Sequence, residues 1–117
     1  MVLAIPTRLV ARPAVECWSV MPPPPKQLDG ANVLLWTTDV RDTLPTARTT
    51  HRVDGDVLGP AAALAICQYD GDSQYYLFYC DGEWNVRTDT CHSSIDDAKH
   101  QAEFEYEGVS SLWRPTA

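Results

Sequence analysis

Between residues 61 and 108, three strand-like runs separated by Asp-Gly turns lead into one amphipathic segment that begins with a capping residue. No other part of the chain restricts the fold so strongly. The runs 63–69, 74–80 and 84–90 are rich in aromatic and β-branched residues and alternate in polarity, as half-buried strands do. Asp70-Gly71 opens the first connection, and Asp81-Gly82 has the composition of a two-residue type I′ hairpin turn. Placing Tyr69 opposite Gln74 sets Leu64 against Tyr79 and Ile66 against Leu77. Placing Cys80 opposite Glu83 sets Tyr79 against Trp84, Leu77 against Val86 and Tyr75 against Thr88. One face of this meander is then Leu64, Ile66, Leu77, Tyr79, Trp84 and Val86, and so continuous an apolar face must be covered.

A helix supplies the cover. Ser94 has the character of an N-cap with Asp97 three residues on, and Asp96 and Asp97 suit the positive end of a helix. At helical spacing Ile95, Ala98, Ala102, Tyr106 and Val109 share one stripe, in which the two small alanines permit close approach to a sheet. Gly108 fits a terminating C′ position. The expected architecture is α+β: an antiparallel β-sheet, built as a meander, with one long C-terminal helix packed on one face.

The first half is read more coarsely. Residues 15–20 alternate like a short strand and stop at Pro22-Pro23-Pro24-Pro25, a polyproline II segment that has no backbone donors for a sheet. Such a tetrad serves as a stiff connector or a strip over the sheet, the reading favoured here, or as an SH3-type ligand. Asp29-Gly30 signals a turn before a strand at 32–38, and residues 48–53 favour another strand before Asp54-Gly55. Gly59-Pro60 then breaks the chain. The length of 117 residues suits one domain, with a Pro-rich segment at 1–30 ahead of the sheet and helix at 31–117.

The net charge of −7 is unevenly spread: residues 1–52 carry +2 and residues 53–117 carry −9, with twelve acids against three bases. Such a field repels nucleic acid and anionic membrane and attracts basic surfaces. No apolar run approaches the ~20 residues that cross a bilayer. The apolar start of the chain is interrupted by Pro6 and Arg8 with no basic segment before it, so a cytoplasmic protein is expected. Cys17, Cys67, Cys80 and Cys91 match neither a zinc framework nor a disulfide scaffold and are read as buried or half-buried thiols.

The chemistry-bearing residues point to recognition. Phe104 falls nearly opposite the buried helix stripe, among Asp96, Asp97, His100, Glu103 and Glu107. It is either an anchor for a basic partner or a ring covered by Trp113 or by the N-terminal strip. The second sheet face holds Ala65, Cys67, Tyr69, Tyr76, Phe78, Asn85, Arg87 and Asp89, with Arg87 beside Tyr76 in the assumed register. The strands of Trp18 or Trp36 cover this face, or it is a further recognition surface using Tyr76, Arg87 and Trp36. Cys91 and His92 are neighbours on a strand and point to opposite faces, which rules out a dyad and leaves His92 to close the turn into the helix. His51 and His100 have no partner at ligand spacing, so neither a metal nor a cofactor is expected.

The run from Leu77 to Val86, followed by Thr88-Asp89-Thr90-Cys91-His92, Asp97-Ala98 and Gln101-Ala102-Glu103-Phe104-Glu105-Tyr106, resembles a group of small bacterial proteins of unassigned function. In these a Trp-rich strand ending in Asp-Thr-x-His runs into a helix bearing Gln-Ala-Glu. Residues 52–60 and Leu64-Ala65-Ile66 fit the same pattern, and Cys91 stands where the group carries a larger, often aromatic residue. The resemblance covers about half the chain and implies a bacterial cytoplasmic origin, with no catalytic residues to carry over. By size and charge the chain is also similar to immunity proteins, an analogy only.

The expected function is that of a non-enzymatic acidic module docking a basic protein partner through the helix, as an immunity-type inhibitor does. A homodimer formed through the second sheet face or an open edge at residues 61–69 is the alternative. A small-molecule protein or enzyme with a pocket of Trp36, Tyr76, Arg87 and His51 is the third reading, with Arg87 holding an anionic group.

Overall fold

In the computed structural model, residues 21–38, 40, 43–46, 51–53, 56–57 and 59–116 are described. Strands β1 (Gln27–Leu28) and β2 (Ala31–Thr37) form a hairpin whose turn residues Asp29 and Gly30 both have positive φ, 49° and 83°. The type I′ geometry expected at Asp81-Gly82 therefore occurs here. Short strands follow at β3 (Leu44–Pro45), β4 (Arg52–Val53) and β5 (Asp56–Val57), the last two paired with each other. The meander is β6 (Ala63–Gln68), β7 (Tyr75–Cys80) and β8 (Val86–His92), and helix α1 spans Ile95–Glu105. Strand β9 (Tyr106–Glu107), a 3₁₀ turn at Val109–Ser111 and β10 (Arg114–Pro115) complete the described chain. The expected strand at 15–20, with Trp18, lies outside the described residues, as do Cys17 and residues 48–50 of the expected strand at 48–53.

The main sheet is antiparallel in the order β1-β2-β6-β7-β8, with β10 also on β2. The fold is α+β with a meander. Strand β6 has partners on both sides, which corrects the expectation of an open edge at residues 61–69. The β6–β7 register is the one read from sequence, Leu64 with Tyr79 and Ile66 with Leu77.

The β7–β8 register differs: Tyr79 pairs with Thr88, Leu77 with Thr90 and Tyr75 with His92, four residues along from the expected partners. The cause is the turn. Asp81 accepts hydrogen bonds from the backbone N–H groups of Glu83 and Asn85 and from the Asn85 side chain. Trp84 donates its N–H to the Asp81 carbonyl and takes up φ 64°. This longer loop ends in a bulge between Tyr79 and Cys80, which puts Val86 opposite Cys80. Trp84 and Val86 consequently leave the helix-covered face, and Arg87 does not lie beside Tyr76.

Two cores result, one on each face. Leu64, Ile66, Leu77 and Tyr79 pack with Ala98, Ala102, Tyr106, Val109 and Val40. On the other side Ala63, Ala65, Cys67, Phe78 and Cys80 pack with Leu28, Ala31, Val33 and Trp84. The residues between the flanks are small there, so Trp36 and Trp84 reach across to meet edge to face, 6.1 Å between ring centroids at 83°. The Trp84 indole N–H donates to the Pro22 carbonyl at 2.9 Å, which seats the start of the proline tetrad against this core. The Trp36 strand thus contributes to covering the second face, as expected. Cys67 and Cys80 are fully buried and burial pushes both thiols up to about 12, whereas Cys91 is exposed, contrary to expectation.

Helix α1 begins as read: the Ser94 side chain accepts from the Asp97 N–H at 3.0 Å, a cap worth about 1 kcal/mol. It ends at Glu105 with its C-cap at Tyr106, one residue earlier than Gly108 at C′ suggested. Tyr106 and Glu107 leave the helix to pair with Pro45 and Leu44, and Gly108, at φ 97°, instead opens the 3₁₀ turn. No helix among the described residues is long and apolar enough to cross a membrane.

Candidate functional site

Two places gather polar and aromatic side chains. The first is the outer face of α1. Phe104 is 46% exposed, the one large hydrophobic so placed among the described residues, while Trp113 packs with Leu112 against the helix-side core. Phe104, His100, Gln101 and Asp97 line an open groove of about 430 Å³ together with His92 from the end of β8. His92 is held by Thr90 at 2.7 Å and by Asp97 at 3.3 Å, so it closes the strand-to-helix junction as expected. Asp96 is exposed in the first turn of the helix.

Glu103 and Glu107 are placed differently. Glu107 lies in β9, beyond the helix. The Glu103 carboxylate turns to accept from the backbone N–H groups of Gly108 and Ser110, at 2.9 and 3.0 Å, and clasps the 3₁₀ turn. Chiefly the Gly108 N–H, then Ser110, holds its carboxyl below the usual carboxylate range. A depressed folded-state pKa contributes stability above the unfolded-state value, lost as pH falls through the folded one. The difference in urea midpoint between wild type and Glu103→Gln is therefore expected at neutral pH and should vanish on acidification.

The second place was not read from sequence as a unit. Glu105 is 5% exposed, on the inner side of α1. One of its oxygens faces His51 Nε2 at 2.8 Å, and the other accepts from the Tyr79 hydroxyl and from Gln101 Nε2. Burial, then the bond to Glu105, drives the Tyr79 phenol strongly up, so Tyr79 donates. The His51 ring lies against Tyr79, tilted by 49° with 4.1 Å between centroids, and its Nδ1 lies 2.8 Å from Thr88 Oγ1. In the neutral tautomer with Nε2–H on the carboxylate, Nδ1 accepts the Thr88 proton. Carboxylate, imidazole and hydroxyl thus stand in a line, an order that polarises the hydroxyl oxygen.

This line ends at a cavity of about 130 Å³ whose walls include His51, Thr88, Arg87, Tyr79, Tyr106 and Asp81. Of the four residues expected to share a pocket, His51 and Arg87 do, whereas Trp36 and Tyr76 belong to the opposite core, Trp36 beneath Arg114 at 5.6 Å and Tyr76 against Tyr69. Glu105 had a signal in the sequence: three residues after Ala102 and seven after Ala98, it falls on the buried stripe. His51 had none, since its partner lies 54 residues away. Among the described residues no cluster of His, Cys, Asp and Glu has the arrangement of a metal site.

Comparisons with protein-family models, with curated proteins and with solved structures find no match.

Proposed function

We propose that the protein is a cytoplasmic, non-enzymatic binding module that docks a basic protein partner over the outer face of α1, in the manner of an immunity-type inhibitor. The observation that carries this reading is Phe104, an exposed ring in a groove edged by Asp97 and His100. Asp96, Glu103 and Glu107 add to the surrounding negative field. In such an interface the ring supplies desolvated contact, while the carboxylates accelerate encounter and select a positively charged surface. The −9 charge of residues 53–117 disfavours nucleic acid and anionic lipid as the partner.

The test is capture from host extract on immobilised protein, followed by titration of the captured protein. Phe104→Ala is expected to weaken binding by about 2 kcal/mol, roughly thirtyfold, at unchanged folding stability. Added salt should slow association. Equal recovery by wild type and by Phe104→Ala combined with Asp97→Asn would refute the docking surface.

A further inference from the structure

The cavity beside Thr88 lies apart from that groove, and its open hydrogen-bonding capacity describes a ligand. In the neutral tautomer that places Nε2–H on Glu105, His51 Nδ1 takes the Thr88 proton and the Thr88 oxygen presents its lone pairs to the cavity. The Tyr106 oxygen accepts from the Ala61 N–H at 2.8 Å, which leaves the phenol proton to be donated, and no acceptor for it occurs among the described residues. Arg87 is exposed at the bulge on the cavity wall, where its charge adds to the Asn85 side-chain hydrogen bond in lowering the Asp81 carboxyl. Asp81 is also on the wall, but the donors of its own loop occupy its carboxylate. The cavity therefore offers two donors, one of them cationic, together with an acceptor backed by a buried carboxylate.

We infer that this cavity binds a small α-amino acid as its zwitterion, the carboxylate on Arg87 and the Tyr106 hydroxyl and the ammonium on Thr88 Oγ1. A simple anion satisfies only the donors and meets the repulsion of a chain of net charge −7, whereas a zwitterion carries no net charge to repel. Arg suits a carboxylate through its planar fork of N–H groups. The cavity of about 130 Å³ corresponds to about four waters at ~30 Å³ each and is close to the ~150 Å³ that holds a six-carbon ring, room enough for a molecule of alanine's size. The aromatic walls of Tyr79 and Tyr106 and the apolar Pro60 and Ala61 suit a short aliphatic side chain.

The experiment is a titration of the ¹⁵N-labelled full chain, followed by amide shifts, with alanine, lactate, propionate and ethylamine as probes. Alanine is expected to move the Ala61, Arg87 and Thr88 signals along a saturable curve, and propionate and ethylamine to bind at least about tenfold more weakly. Arg87→Gln, at an exposed position, should weaken alanine about tenfold. Thr88→Val should bring alanine down to the level of propionate. If that variant does not fold, the probe series and Arg87→Gln decide alone. Absence of a saturable alanine response, equal binding of propionate, or unchanged affinity in Arg87→Gln would overturn the assignment. Phe104→Ala should bind alanine as wild type does, which separates this site from the docking surface.

Discussion

Glu105→Ala is expected to cost the fold about 3 to 5 kcal/mol, read as a lowered urea midpoint, because it strands three donors in a buried place. The Tyr79 hydroxyl, Gln101 Nε2 and His51 Nε2 all converge on this carboxylate, which is 5% exposed. The loss should be largely one of unsatisfied partners and not of the glutamate's own contacts. Two companions separate these causes. Glu105→Gln keeps the shape and one acceptor oxygen and should cost clearly less. Tyr79→Phe should be costly in wild type but much less so in the Glu105→Ala background, since removing both ends of a buried hydrogen bond leaves nothing unpaired. If the double variant is as unstable as the sum of the singles, Glu105 is not the acceptor on which this side of the fold depends.

Trp84→Ala should lose about 3 kcal/mol by the same measurement, through removal of a large buried ring and its bond to Pro22. The position has a second property that discriminates. At φ 64° an alanine is strained whereas a glycine is not, so Trp84→Gly should be the milder substitution despite removing more atoms. Coupling to Trp36 in a double-mutant cycle should amount to about 1 kcal/mol, as expected for an edge-to-face pair. A variant series in which alanine outperforms glycine would contradict the left-handed conformation of this loop.

The parts of the fold legible in the sequence were those governed by local chemistry. The β6–β7 register followed from alternation and an Asp-Gly turn, with Gly71 at φ 77° and the Asp72 N–H bonded to the Tyr69 carbonyl. Ser94 and Asp97 marked the helix start for the same reason. Asp81-Gly82 misled because an aspartate side chain competes with the backbone for nearby N–H groups. By gathering Glu83 and Asn85, Asp81 lengthened the turn and moved Trp84 to the other core. The helix end escaped prediction because a distant strand, β3, recruits Tyr106 and Glu107. At the candidate sites, the outward placement of Phe104 followed from helical geometry. The Glu105–His51–Thr88 line did not, since it joins a loop, a strand and a helix that no local pattern relates.

The pairing of β10 with β2 also bears on how the protein is made. Thr116 donates its hydroxyl to the Val33 carbonyl across 83 residues, and Arg114 and Pro115 lie opposite Trp36 and Leu35. During synthesis the part of this edge beyond the β1 hairpin, Leu35 and Trp36, therefore waits unpaired until Thr116 has emerged. A chain that ends before residue 114 leaves the Leu34-Leu35-Trp36 backbone open to strangers, a template for aggregation that β10 covers.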